Sequence, residues 1–184
     1  LAVTYRCQCR CEHCYASYPE RAGREELSTE QWRAVIRQLR ELGTLTVHFS
    51  GGEPTTHPDL PKLINRVHAH GGKTKLTTNA IAISDALLQA LQSAGTEVKV
   101  SLHGDREHHN AMLGVRAFDH TTGNLKRFLA SGIRTSVQAT VVAEATDAVE
   151  WLIEYCLATG IRRLSILPFI PRGNGSECTD TFQF

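Results

Sequence analysis

The chain has no excess of charge of either sign: 20 basic against 19 acidic residues leave a formal +1. A surface for nucleic acid or an anionic membrane needs a basic surplus, so neither partner is expected. Long apolar runs are missing too. A stretch such as Leu164 to Ile170 is far too short to span a bilayer. The opening "LAVTYR" lacks the charged and apolar regions of a secretory signal. No linker or low-complexity segment divides the chain, and one domain is expected over residues 1–184, long enough for a sizeable core. The abrupt opening and the closing "PRGNGSECTDTFQF" are read as edges of an excerpt from a longer protein. A secreted disulfide framework is also absent. Of the six cysteines, Cys7, Cys9, Cys11 and Cys14 crowd one loop, while Cys156 and Cys178 stand alone. A reducing cytoplasm is the expected home.

What is present is alternation. Apolar, β-rich runs are expected as strands at 2–5, 45–49, 73–77, 97–102, 133–142 and 163–167. Helix signals separate them. In "LSTEQWRAVIRQLRELG", Ser28 and Gln31 make a capping box, Trp32, Val35, Ile36 and Leu39 share a face, and Gly43 supplies the stop. Val149, Leu152, Ile153, Cys156 and Leu157 form a second apolar stripe, closed by Gly160. Strand–helix alternation implies parallel strands joined by crossover helices, hence an α/β fold. Periodicity alone leaves a partial barrel and a doubly wound sheet both open.

The unusual residues gather at the carboxyl ends of the expected strands, where parallel α/β folds carry their chemistry. The cysteine loop follows the first strand, "SGGEP" the second and Asn79 the third, while Ser101 and "LHGD" close the fourth. Four crowded thiols are compatible with zinc or with an iron–sulfur cluster. Zinc wants four closed ligands, and Cys9 could complete that set. A [4Fe–4S] cube needs a ligand for each iron, so three cysteines leave one iron open. Glycines such as Gly51 and Gly52 let a backbone approach a ligand where a side chain would collide, and Glu53 offers a carboxylate to a cation.

Cys7, Cys11 and Cys14 have the spacing C-x3-C-x2-C, and "TYRCQCRCEHCY" followed in order by "SGGEP" resembles the radical S-adenosylmethionine (SAM) superfamily. The resemblance covers nearly the whole chain and implies a partial (β/α)6 TIM-type barrel. It implies that Cys7, Cys11 and Cys14 hold a [4Fe–4S] cluster whose open iron chelates SAM. It makes Gly51, Gly52 and Glu53 cofactor-binding, Glu53 meeting the SAM ammonium. His13 falls where the family often has an aromatic residue near the adenine, with packing beside the cluster as the other role. Ser101 matches a polar position near the SAM carboxylate or ribose. Asn79 is placed to reach cofactor or substrate, though Asn also simply caps turns. Cys9 stands where the family usually has an apolar residue and is read as a small buried hydrophobe. His103, His108 and His109 are read as solvated or locally hydrogen-bonded, and Asn110 departs from the His-Asp pair common there. Cys156 is assigned to the core and Cys178 to an ordinary thiol.

The implied activity is reductive cleavage of SAM and hydrogen abstraction from a substrate. The details are most like the peptide- and cofactor-maturing (SPASM/twitch-type) group, with a flavodoxin- or ferredoxin-type electron donor. Peptide or protein maturation is the first expectation. Haem- or molybdopterin-type biosynthesis is the second, and a non-catalytic zinc or Fe–S module the competing class.

Overall fold

The computed structural model describes residues 1–15, 25–142 and 145–178. In chain order it contains α1 (Thr29–Glu41), β1 (Thr46–Phe49), α2 (Leu60–Ala69), β2 (Lys73–Thr78), α3 (Asp85–Ser93) and β3 (Glu97–Ser101). There follow α4 (Arg106–Leu113), α5 (Phe118–Ala130), β4 (Thr135–Val141), α6 (Thr146–Thr159) and β5 (Leu164–Pro168). Every pairing is parallel and the sheet order is β1-β2-β3-β4-β5. Each strand lies beside its predecessor, so the order never reverses. A doubly wound sheet has a switch point where it does. The described sheet winds one way, as a partial TIM-type barrel does.

The expected strand at 2–5 is corrected. Only one β-bridge forms there, Ala2 to Ser50. The segment still runs beside the end of β1, with Val3 N–H donating to Ser50 O at 3.0 Å and Gly52 N–H to Thr4 O at 2.8 Å. Gly51 sits at φ +135°, which breaks the regular extended register where a ladder would have continued.

Alternation along the strands separates two faces. Val47, Phe49, Leu76, Val98, Val100, Val137 and Ala139 are buried in the core that α1, α2, α3, α5 and α6 cover. Their alternating neighbours, His48, Lys75, Thr77, Lys99, Ser101, Gln138 and Thr140, are polar and at least partly exposed. A closed barrel packs branched apolar side chains inside. Here the inner face is polar, as a surface lining a wet cleft must be.

The helix signals hold where caps and spacing define them. The Ser28–Gln31 capping box forms, and Gly160 ends α6 at φ +76°. The stripe on α6 is rotated from its expected position. Ala148, Leu152 and Cys156 are buried, Trp151 and Tyr155 pack against the core, and Ile153 and Leu157 are 45% and 77% exposed. The aromatics win this face because Trp151 stacks on Tyr155 at 4.9 Å and meets Phe118 at 5.7 Å. Cys156 lies in the core as expected. Among the described residues no helix is long and apolar enough to cross a membrane.

Candidate functional site

The strand ends open into one cleft of about 1850 Å³. Every site residue read from the sequence lines it: Cys7, Cys11, Cys14 and His13 from the first loop, Gly51, Gly52 and Glu53 beyond β1, Asn79 after β2 and Ser101 on β3. His103, Gln138 and Thr140 line it as well, and were not assigned there from the sequence. The signal for His103 was its phase: two residues beyond Ser101, it continues that strand's inward alternation.

The glycines also make a close contact within the protein. A Cβ at Gly51 would stand 2.4 Å from Thr4 O, and one at Gly52 only 2.2 Å from Arg6 O. What presses on them is the backbone leading into the cysteine loop. Glu53 N–H then donates to Arg6 O at 2.7 Å. The acidic turn and the thiol loop are thus docked main chain to main chain, which fixes Glu53 relative to Cys7.

Glu53 is 2% exposed. Its Oε1 accepts from Thr78 Oγ1 at 2.6 Å and from Thr55 N–H at 3.0 Å, and its Oε2 from Asn79 N–H at 2.8 Å. Burial raises its pKa, and these hydrogen bonds only partly oppose the shift. No Lys, Arg or His among the described residues forms an ion pair with it. A carboxylate held this deep without a cation is costly and calls for one.

Asn79 directs its side chain at the cysteine loop. Its Nδ2 donates to Cys9 Sγ at 3.2 Å, while its Oδ1 accepts from Gln8 Nε2 at 3.2 Å and Ile81 N–H at 3.1 Å. Its carbonyl accepts from Thr121 Oγ1 at 2.8 Å. The turn continues through Ala80, a non-glycine at φ +56°. That left-handed conformation costs on the order of 1–2 kcal/mol, and such strain concentrates at functional sites.

None of the six cysteines forms a disulfide. Cys9 is not the buried hydrophobe expected. It is half-buried, lines the cleft, and its sulfur is in hydrogen-bonding contact with those of Cys7 and Cys11. The contact with Cys9, then burial, pushes the Cys7 thiol far above the ordinary range. Contact with Cys11 leads the rise of Cys9 to about 12, with Cys7 opposing it and burial adding. Crowded sulfurs resist ionisation until a cationic centre neutralises them. Among the described residues no three His, Cys, Asp or Glu side chains converge tightly enough for a single metal ion. The donor set, several soft thiols spread along one loop, suits a multi-iron group more than one tetrahedral zinc. Cys178 is half-buried and lines the same cleft from the other end of the chain.

His103 and His109 are buried and locally hydrogen-bonded, while His108 is only half-buried. His103 Nδ1 accepts from Thr140 N–H at 3.1 Å, and His109 Nδ1 accepts from His103 N–H at 3.2 Å. His13 meets His103 edge-on at 5.0 Å, and burial, then the charge of His108, lowers its pKa to about 4. Asn110 caps the approach to α5, its Oδ1 accepting from Ala117 N–H at 2.8 Å and Phe118 N–H at 3.0 Å.

The profile of the Radical SAM superfamily matches residues 1–156. Fe-coproporphyrin III synthase of Methanosarcina barkeri is 30% identical over 177 residues, covering 95% of this chain and 44% of that protein. PqqA peptide cyclase of Xanthomonas campestris pv. campestris is 32% identical over 177 residues, covering 90% of this chain and 45% of the other. SuiB of Streptococcus suis bound to its precursor peptide SuiA superposes with a TM-score of 0.83 at 24% identity, covering 92% of this chain and 38% of that one. The same protein bound to S-adenosylmethionine gives 0.78 at 25%, covering 91% and 39%. The chain therefore spans less than half the length of the curated relatives it matches. Taken with a thiol loop docked on a buried acid at the mouth of a singly wound parallel sheet, the profile match shows that the chain belongs to the radical SAM superfamily.

Proposed function

We propose that this chain is the cluster- and SAM-binding core of a radical SAM enzyme that matures a peptide. Cys7, Cys11 and Cys14 would hold a [4Fe–4S] cluster, and Glu53 would take the ammonium of SAM. When bound, the reduced cluster supplies the electron for splitting SAM into methionine and a 5′-deoxyadenosyl radical, which abstracts hydrogen from substrate. The chain's residues bind, orient and exclude water. The observation that carries the reading is Glu53, buried and hydrogen-bonded three times, yet without a cation, beside the thiol loop. Thr78 and Asn79 fix its two oxygens, so the carboxylate is aimed before a ligand arrives. Ser101 and Asn79 complete the rim, with Asn79 acting through the loop it ties down.

Peptide chemistry is favoured by PqqA peptide cyclase and by SuiB with its precursor peptide. The polar inner face agrees: Thr77, Gln138 and Thr140 line the cleft and offer hydrogen bonds suited to an extended backbone. The likeness to Fe-coproporphyrin III synthase supports a second reading, haem-type cofactor biosynthesis. A low-potential donor of the flavodoxin or ferredoxin type and a cytoplasmic setting complete the proposal.

The test is anaerobic reconstitution of the full-length protein with iron and sulfide, reduction, addition of SAM, and measurement of 5′-deoxyadenosine. Release is expected, and Cys7→Ala, Cys11→Ala or Cys14→Ala should abolish it. A zinc-loaded protein, or a fully loaded cluster that never cleaves SAM, would identify a non-catalytic module instead. Tight binding of a porphyrin, with no affinity for candidate peptides, would select the second reading.

A further inference from the structure

Three cysteines suffice for the proposed cluster, and the loop carries a fourth. Cys9 is neither buried away nor bridged. Its N–H donates to Cys7 Sγ at 3.4 Å, and the residue lines the same cleft as Cys7, Cys11 and Cys14. A single residue determines which side of the loop it occupies. Asn79 donates from Nδ2 to Cys9 Sγ at 3.2 Å, and from its main chain to Glu53 Oε2 at 2.8 Å. Cys9 is therefore held on the Glu53 side, where the amino-acid end of SAM would sit. Gln8 braces the arrangement through Asn79 Oδ1 at 3.2 Å.

We infer that Cys9 is an exchangeable fourth ligand, its sulfur closing the open iron when SAM is absent and leaving when SAM binds. The inference rests on the cluster reading above. A thiolate is the ligand iron in such clusters takes most readily, and an iron lacking a protein ligand is the one most easily lost. Cys9 is half-buried and lines the open cleft, so its side chain is not enclosed by core packing. In the exchange the iron–sulfur bond breaks with its electron pair remaining on sulfur, and that thiolate takes the proton that the SAM ammonium must lose before its nitrogen can bind iron. The amino nitrogen and carboxylate oxygen of SAM donate the pairs that replace it. No electron is transferred, so neither oxidant nor reductant is consumed. The consequence is protection: the cluster stays four-iron between turnovers, and SAM binds against a competitor.

The experiment uses the full-length protein, reconstituted without SAM and treated with stoichiometric ferricyanide. Electron paramagnetic resonance reads the three-iron form, and a chelator counts released iron. Wild type is expected to retain its fourth iron, whereas Cys9→Ala releases one iron per cluster. By calorimetry Cys9→Ala should bind SAM roughly tenfold more tightly, the factor for a site blocked about nine-tenths of the time. Loss of the fourth iron from wild type as readily as from the variant overturns the inference. If Cys9→Ala fails to load, wild type alone decides, since rapid one-iron loss from it is sufficient refutation. If neither protein shows a four-iron signature and both hold zinc, the reading of the loop itself has failed.

Discussion

Gly52→Ala tests the idea that the thiol loop and the acidic turn form one backbone-docked unit. The new methyl carbon would stand 2.2 Å from Arg6 O, 2.8 Å from Arg6 C and 2.8 Å from Tyr5 O. All three neighbours are main chain, so no flexible side chain can yield. One backbone must retreat by about 1 Å to reach ordinary contact. That movement strains the bonds from Gly52 N–H to Thr4 O and from Glu53 N–H to Arg6 O, at 2.8 and 2.7 Å. Overpacking costs about 1–3 kcal/mol and each of the two weakened hydrogen bonds about 1 kcal/mol, which gives about 3–5 kcal/mol in all. The control is Gly95→Ala, at φ +59° with nothing within 4 Å of its Cβ, where only the left-handed penalty of about 1–2 kcal/mol applies. Urea unfolding of the cluster-free protein measures both. Because Arg6 immediately precedes Cys7, Gly52→Ala should also lower SAM affinity, and Gly95→Ala should not. Equal midpoints and equal SAM binding in the two variants would refute the docking argument.

Glu53→Gln should weaken SAM binding roughly 10²–10⁴-fold, the loss of a buried pair being worth about 3–5 kcal/mol; unchanged affinity in calorimetry would remove Glu53 from the site. Phe128→Ala should cost about 3–5 kcal/mol in urea unfolding, because its ring is fully buried between α5 and the sheet, and a change under about 1 kcal/mol would contradict the packing. His109 titrates at about 4 when folded, against 6.5 unfolded, because burial and then His108 disfavour its cation. Between those values the unfolded chain binds more protons, so this contribution is intact above the unfolded value and is lost as pH falls toward about 4. Its slope is at most about 1.4 kcal/mol per pH unit. His109→Gln should flatten the stability profile across that window, and an unaltered slope would show that His109 is not responsible.

The sequence made the strand ends legible because chemistry in parallel folds collects there, and Cys7, Glu53, Asn79 and Ser101 do share one cleft. It also made the helix stops legible, since a left-handed end leaves a glycine. Three features were hidden. The α6 stripe was misplaced by counting aliphatics, while ring packing between Trp151, Tyr155 and Phe118 decided the face. Gly51 and Gly52 pack against the protein's own backbone at Thr4 and Arg6, a tertiary contact that no local pattern records. Cys9 was classed by residue type as apolar, but the amide of Asn79, seventy residues on, turns it toward the cleft.

These corrections share an electrostatic logic. An acid buried without a cation and sulfurs crowded in one loop are each disfavoured in their charged forms while the cleft carries no cation. Stability must then come from the other face of the sheet, where Phe49, Leu76, Val98, Val100 and Val137 meet the helices. Under the proposed function, filling the cleft with cationic groups would reverse the balance, favouring ionised thiols and giving Glu53 its counter-charge. A fold that confines its apolar packing to one side of the sheet can keep the opposite side electrostatically unsatisfied, and that unsatisfied side is where binding free energy is available to the cofactor.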